Sequence, residues 1–332
     1  MILHFLPYNL LFSFTITSSL FMVLNSNNWL FIWLGLELNL FSFIPMIFSS
    51  NTNMETEGAV KYFLIQTISS GILISCMLMK MSPFYAVFPH SIINIFIMLS
   101  MLMKIGAAPC HFWFPQVMSS MNWMNCFILM TIQKLNPLFI ISSMLMMWSS
   151  SFMLALILMN SLISGLGGMN QTQMRPLMAY SSIGHLSWML AMSGSSFSYT
   201  IFYFSFYLII SMSLLIMFMN LMKQLNSQFN MLFQLPQSIN TLIFLSLLSL
   251  GGLPPLLGFL PKWIIINKLM IVSPFLLMIL VGGSLLALFY YLVVFFTMIL
   301  NNFKSLKINL LTMKMNFMWL MSSSTLLLLV MF

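Results

Sequence analysis

Residues 251–263 read GGLPPLLGFLPKW, and residues 104–115 read KIGAAPCHFWFP. Both stretches lie inside long apolar runs, and their glycines and prolines disfavour a straight helix. Each stretch also carries a lysine, Lys262 in the first and Lys104 in the second. The two stretches fall at matching places in the two halves of the chain. Paired interruptions of this kind predict an ion or substrate path that is built from two inverted repeats.

The composition is typical of a membrane protein. The chain of 332 residues is 61% hydrophobic and only 4% charged, whereas a soluble domain carries about 25% charged residues. We therefore predict an all-α polytopic membrane protein. The net charge of +8 comes from basic residues scattered through loops and spans, which indicates membrane topology rather than nucleic-acid binding. Cys76, Cys110 and Cys126 lack CxxC or metal-ligand spacing and are interpreted as small buried hydrophobic residues.

Apolar segments between polar or Pro/Gly/Asn punctuation predict about eleven transmembrane helices. The predicted spans are roughly 4–24, 28–49, 58–80, 91–118, 124–146, 150–169, 177–193, 198–222, 238–268, 274–300 and 313–331. Residues 1–146 and 147–300 form two five-helix repeats, in each of which the broken helix is the fourth (near 104–115 and near 251–262). An odd number of helices in a repeat turns the second copy upside down. Residues 301–332 form a basic loop and a final helix.

The distribution of charge predicts the orientation of the chain in its membrane. Basic residues concentrate in the even-numbered connections, and basic loops stay on the side of synthesis. The N-terminus is therefore predicted to lie on that side. With eleven spans, the C-terminus lies on the opposite side.

Five ionisable residues are predicted to lie within spans, where a charge costs about 2.5–3.5 kcal/mol on insertion scales. They are Glu37, Lys104, Lys134, His185 and Lys262. Because this cost is lowest where such groups face one another around water, we expect them to form a hydrated line across the fold. Structural roles are the alternative: a buried ion pair for Glu37, a cap on half-helix carbonyls for Lys104 and Lys262, a packing lysine for Lys134 and a hydrogen-bonded core residue for His185.

Cofactor chemistry is not indicated by the sequence. No set of His, Cys and carboxylate residues has the spacing of a metal site, no glycine-rich phosphate loop follows a strand, and no CxxCH haem motif is present. We therefore expect this chain to bind no cofactor. His111, inside the first interruption, is interpreted as a structural residue.

Several motifs together carry a resemblance to a known family, and they run in order through nearly the whole chain. They are WLGLELN (33–39), TEGAVKYF (56–63), KIGAAPCHFWFP (104–115), QK (133–134), GGMNQTQMR (167–175), MAYSSIGH (178–185) and GGLPPLLGFLPKW (251–263). The chain resembles the antiporter-like membrane subunits of respiratory complex I, NADH:ubiquinone oxidoreductase, and among them the mitochondrially encoded subunit 2 family.

The resemblance implies a fold and a set of residue roles. Longer bacterial members have fourteen helices that include two inverted five-helix repeats, and animal members lack three N-terminal helices, which agrees with eleven spans. By this resemblance Glu37 would pair with Lys104, and Lys134 would be the connecting lysine. His185 would belong to the hydrated central axis, and Lys262 would lie towards the exit.

Two positions depart from the family pattern. Pro176 stands where a second basic residue usually follows Arg175, and Cys110 replaces a bulky apolar residue in the first interruption. Neither departure touches the proposed relay.

The resemblance also implies a proton-translocating role in the inner mitochondrial membrane, with the N-terminus in the matrix and the C-terminus on the intermembrane side. NADH, FMN, iron–sulfur clusters and ubiquinone would be bound by other subunits, so this chain would perform no redox chemistry. Its partners would be other membrane-arm subunits and lipids. Two alternatives remain at this point: a stand-alone cation/proton antiporter, and a membrane scaffold that does not pump.

Overall fold

The computed structural model describes residues 7–48, 53–81, 90–144, 150–193, 197–224 and 237–302. Within these ranges the chain forms α-helices and no β-strand, which confirms the predicted all-α class. The helices are α1 (Pro7–Asn25), α2 (Trp29–Ile47), α3 (Asn53–Met81), α4 (His90–Ile105), α5 (Trp113–Ser120), α6 (Trp123–Met130), α7 (Ile132–Met144), α8 (Ser150–Met169), α9 (Met174–Ser193), α10 (Phe197–Gln224), α11 (Gln237–Gly251), α12 (Phe259–Val272) and α13 (Pro274–Asn302).

Many of these helices have the length and composition of membrane spans. Six segments of the described chain are long and apolar enough to cross a bilayer: Trp29–Ile47, Asn53–Lys80, Trp123–Met144, Ser151–Met169, Phe197–Met219 and Pro274–Thr297. Large apolar side chains also point outward, such as Phe275 at 74% and Ile271 at 86% exposure, as expected of a surface that faces lipid or neighbouring subunits. The count of eleven spans stays a prediction, and the last predicted span, 313–331, lies outside the described residues.

The chain divides into two compact units between Phe152 and Met153. The predicted repeats meet six residues earlier, at 146/147, and their inverted relation stays a prediction. In the first unit, α3 packs against α2, α4 and α5, while α7 packs against α1, α4 and α6. In the second unit, α9 packs against α10, α12 and α13, and α11 packs against α10 and α13.

The helix α8 approaches its neighbour α13 closely because glycines remove side chains from the contact. A Cβ atom on Gly165 would lie 2.7 Å from Leu286 Cδ1, and one on Gly283 would lie 2.8 Å from the Ser161 carbonyl oxygen. Small residues at such positions are the usual means by which membrane helices come together, because lipid tails provide no hydrophobic drive for association.

Both predicted interruptions are present, and their backbones are built alike. Gly106 and Gly252 adopt φ of 75° and 81°, a left-handed conformation that glycine reaches without steric cost. At the first break the N–H of Ala107 donates to the Leu102 carbonyl at 3.0 Å, and at the second the N–H of Leu253 donates to the Leu248 carbonyl at 3.4 Å. This is the Schellman pattern of a helix that ends at a glycine.

A third interruption, which the sequence analysis did not predict, separates α6 from α7 at Thr131. The Thr131 hydroxyl donates to the Phe127 carbonyl at 2.6 Å. Hydroxyl bonding to the preceding turn is known to bend helices. The described part of the predicted fifth span, 124–146, therefore consists of two short helices that end at Met144, and Lys134 lies in the first turn of the second one.

We expect the second break to tolerate no side chain at Gly258. A Cβ atom there would overlap the carbonyl oxygen of Ser249, whereas a Cβ on Gly282 in α13 would meet nothing within 4 Å. The G258A variant should therefore lower the amount of folded chain recovered from membranes, measured by quantitative immunoblot after limited proteolysis. The G282A variant, our control, should not. Equal recovery of the two variants would contradict the packing of this break.

Candidate functional site

Glu37 lies in the middle of α2 and is buried, with 9% of its surface exposed. Its carboxylate acts electrostatically on the ammonium of Lys104 and on the hydroxyl of Tyr62. Among the described residues, Glu37 and Lys104 are not in ion-pair contact, and Oε1 of Glu37 receives no hydrogen bond. The Glu37 carboxylate therefore interacts electrostatically with the Lys104 ammonium but forms no ion pair with it.

Lys104 lies in the last turn of α4 and is also buried. The carbonyl groups at this helix end have neutral donors from elsewhere in the unit. Nε1 of Trp113 donates to the Met103 carbonyl at 3.1 Å, and Nε2 of Gln66 donates to the Lys104 carbonyl at 3.2 Å. A half-helix end needs such partners because its last carbonyls have no intrahelical donor. Since neutral groups fill this role, the Lys104 ammonium is not required as the cap.

A reciprocal amide pair ties α2 to α7. Nδ2 of Asn39 donates to Oε1 of Gln133 at 2.8 Å, and Nε2 of Gln133 donates to Oδ1 of Asn39 at 2.9 Å. The hydroxyl of Tyr62, on α3, donates to the same Gln133 oxygen at 3.3 Å. All three side chains are buried. Because Glu37 precedes Asn39 by two residues and Lys134 follows Gln133, this pair fixes the two helices that carry ionisable groups.

Lys134 is the most deeply buried of the predicted lysines, with 2% of its surface exposed. Its ammonium lies 4.6 Å from the centre of the Phe114 ring, a cation–π arrangement in which an aromatic face stabilises positive charge. Phe114 belongs to α5, directly after the first break. Lys134 therefore packs against an aromatic ring of the first unit, and its role in a relay stays a prediction.

In the second unit, the Lys262 ammonium donates to the carbonyl of Gly251, the last residue of α11, at 2.6 Å. Lys262 lies in the first turn of α12, so its side chain reaches back across the break. The Trp188 ring on α9 lies 5.9 Å from the same ammonium. The structural role considered for this lysine, a cap on half-helix carbonyls, is thus realised here.

Lys262 and His185 both line a cavity of about 20 Å³. This volume is roughly the space that one buried water molecule needs. Its polar lining consists of Ser161, Ser164, Ser181, Ser187, Ser284, Tyr291, His185 and Lys262. Each of the five serine hydroxyls donates to a carbonyl of its own helix. Their oxygens therefore remain as acceptors on one part of the cavity wall, which suits a water molecule that donates to them.

His185 is held in place by hydroxyl and aromatic neighbours. Its Nδ1 atom lies 2.8 Å from the hydroxyl of Tyr203, and its ring lies 5.0 Å from that of Tyr207, centre to centre. Both tyrosines belong to α10. His185 is thus a hydrogen-bonded core residue and at the same time part of the wall of the cavity.

The sequence also singles out His111 and the three cysteines. Nδ1 of His111 lies 3.3 Å from the Pro109 carbonyl, and its ring packs on Phe112. Cys76 and Cys126 are buried and Cys110 is partly exposed, and among the described residues none of the three forms a disulfide. Within the described part of the chain, no group of three or more His, Cys, Asp or Glu residues could hold a metal ion.

Comparison with known proteins assigns the family. The sequence model of the family described as "NADH:quinone oxidoreductase/Mrp antiporter, TM" matches residues 26–288. NADH-ubiquinone oxidoreductase chain 2 of Anopheles gambiae is 45% identical over 250 residues, covering 74% of this chain and 72% of that protein. The protein of the same name from Lumbricus terrestris is 41% identical over 275 residues, covering 82% of this chain and 81% of that protein. This chain belongs to the NADH-ubiquinone oxidoreductase chain 2 family.

The fold has relatives among solved structures. A chain of "Respiratory complex I from Thermus thermophilus with bound Aureothin" is similar with a TM-score of 0.72 and 18% identity, covering 86% of this chain and 69% of that chain. At this identity the likeness concerns the fold alone. It agrees with the predicted all-α membrane fold. The resemblance that the motifs predicted is confirmed by the sequence relatives and the family model.

Several residues that build the site in this chain 2 family member were not predicted as such. Asn39, Gln66 and Gln133 stand within or near the family motifs, but only the folded chain shows which carbonyl or amide each one bonds. Tyr203 lies outside every motif, and a tyrosine within an apolar helix gives no signal in the sequence. Pro176, the departure after Arg175, occupies the first turn of α9, where a missing N–H costs no hydrogen bond.

We expect the Asn39–Gln133 pair to show coupling in a double-mutant cycle. In each single variant, N39L or Q133M, a buried amide loses the amide that it pairs with, whereas no member of the pair remains in the double variant. The bond from Tyr62 to Gln133 is lost in Q133M and in the double variant alike, so its loss cancels in the cycle. The cost of the double variant should be below the sum of the singles by about 0.6 kcal/mol, the average for hydrogen-bonded pairs between membrane helices. Thermal unfolding of the purified complex measures it. Strict additivity would contradict the pair.

Proposed function

We propose that this chain carries protons through Glu37, Lys104, Lys134, His185 and Lys262 as a membrane-arm subunit of respiratory complex I. The observation that carries the proposal is the cavity in the second unit, because it joins a histidine, a lysine and five hydroxyl acceptors in a membrane chain. All five ionisable side chains are buried, with exposures between 2% and 9%. Ionisable groups inside a membrane protein are expensive, and they commonly mark ion or proton paths.

In the first unit, the proposed step is an exchange of counter-charge. While Glu37 is ionised, its field stabilises the Lys104 ammonium. When a proton arrives on Glu37, the ammonium loses that support and releases its own proton. When Glu37 ionises again, Lys104 can be reloaded. The absence of direct ion-pair contact between the two described side chains supports this step, because a tight pair would be harder to separate.

In the second unit, the proposed step is a transfer between His185 and Lys262 through the cavity. Histidine exchanges protons near neutral pH, and one water molecule in a space of about 20 Å³ would bridge the imidazole and the amine. The serine oxygens stabilise the positive charge while it crosses. Tyr203 holds the imidazole through Nδ1, so it orients the ring during the transfer.

The setting of this chemistry follows from the family. We propose that the chain lies in the inner mitochondrial membrane, with its N-terminus in the matrix and its C-terminus on the intermembrane side. Its partners are other membrane-arm subunits and lipids. NADH, FMN, iron–sulfur clusters and ubiquinone are bound by other subunits, and electron transfer there drives the charge movements in this chain.

We expect E37Q to uncouple proton transfer in assembled complex I. The amide keeps the size of the carboxylate but cannot carry the counter-charge of Lys104, so fewer protons should be pumped for each NADH oxidised. The measurement is proton pumping by proteoliposomes together with NADH oxidation. E57Q is the control, because Glu57 is 64% exposed and lies 4.0 Å from Lys61, a surface ion pair that contributes little to stability.

We expect K262M to abolish the second step, the transfer between His185 and Lys262. Replacement of Lys268, an exposed lysine of the same helix, should have no effect on pumping. K268M, the matched control, removes a lysine whose ammonium faces the Tyr199 ring at 5.7 Å. Pumping should fall with K262M and stay normal with K268M at equal amounts of assembled complex. Normal assembly and normal pumping with both E37Q and K262M would instead favour a scaffold without a proton path.

A further inference from the structure

The two broken helices end in the same backbone motif but satisfy their carbonyls differently. At the first break, the donors are the indole of Trp113 and the amide of Gln66, both neutral. At the second break, the Gly251 carbonyl receives the ammonium of Lys262 at 2.6 Å. The lysine of the second half is therefore bonded to the helix end, whereas the lysine of the first half is not needed there.

The Lys262 side chain reaches this carbonyl over a residue that has no side chain. A Cβ atom on Gly252 would lie 2.7 Å from Cδ, 2.9 Å from Nζ and 3.0 Å from Cε of Lys262. These distances are shorter than van der Waals contact, and the atoms that would be displaced belong to a flexible side chain. An added methyl group would therefore push the lysine off the carbonyl rather than shift the backbone.

We propose that the Gly251 carbonyl and the side-chain-free Gly252 form a seat for the Lys262 ammonium, and that Gly252 is a positioning residue of the proton path. The seat combines a free carbonyl with the negative end of the α11 dipole, and both favour a cation. It also holds Nζ at the wall of the cavity that His185 shares. The seat therefore keeps the charged Lys262 side chain at the cavity that it shares with His185.

This inference rests on the proposed function for its role in pumping, but the seat itself can be tested by stability alone. Charge-assisted hydrogen bonds are about twice as strong as neutral ones. Occupation of the seat should therefore contribute measurably to assembly. Release of the proton weakens the bond to the Gly251 carbonyl, which frees the amine to be reloaded from the cavity.

The first experiment is a double-mutant cycle in assembled complex I with G252A, K262A and the double variant. The left-handed conformation of Gly252 penalises alanine in every background, so this penalty cancels in the cycle. The seat predicts that G252A lowers the amount of assembled complex several-fold in the presence of Lys262 and clearly less in the K262A background. An equal loss in both backgrounds overturns the seat.

A second comparison covers the case in which K262A alone prevents assembly. The K262R variant keeps a charged donor for the Gly251 carbonyl, so it should restore assembly relative to K262A. If K262R assembles no better than K262A, the seat is overturned. Because a guanidinium does not release its proton, assembled K262R should oxidise NADH with reduced pumping. Normal pumping by K262R would refute the proton-carrying role of Lys262 while leaving the seat intact.

Discussion

The bilayer core contains no water, and this shortage of hydrogen-bond donors determines how the two breaks are built. A helix that breaks inside the membrane frees backbone carbonyls, and each must find a donor within the protein. Glycines at 106 and 252 turn the backbone so that two N–H groups close each helix end. The remaining carbonyls then draw side chains from neighbouring helices, and this requirement brings Gln66, Trp113 and Lys262 to the breaks.

The polar groups at the breaks also explain how ionisable residues can remain in an apolar chain. A buried charge is costly unless fixed dipoles or an opposite charge replace its hydration shell. Lys262 has the Gly251 carbonyl, Lys134 has the face of Phe114, and Lys104 has the field of Glu37. Each of these groups favours the charged form of its lysine. The proposed role as proton carriers requires in addition that each lysine can exist without its proton.

Some features could be predicted from the sequence because they depend on local chemistry. Gly106 and Gly252 act through their own backbone preferences, and buried ionisable residues stand out in an apolar chain. The interruption at Thr131 could not be predicted, because threonine is compatible with a helix and only its hydroxyl bond to Phe127 shows the bend. The Asn39–Gln133 pair joins residues far apart in the chain, so it forms only when folding brings α2 and α7 together.

The two lysines stand on opposite sides of their breaks, so the two units use the same backbone motif differently. Lys104 precedes its glycine and belongs to the helix that ends, whereas Lys262 follows its glycine and belongs to the helix that begins. A lysine that follows the break can reach back to the exposed carbonyl of the preceding helix. A lysine that precedes it lies beside its own carbonyls, which other donors already occupy, and is left to respond to Glu37. The same backbone motif therefore ends a helix that carries its lysine in its own last turn in the first unit, and a helix whose last carbonyl receives a lysine of the following helix in the second.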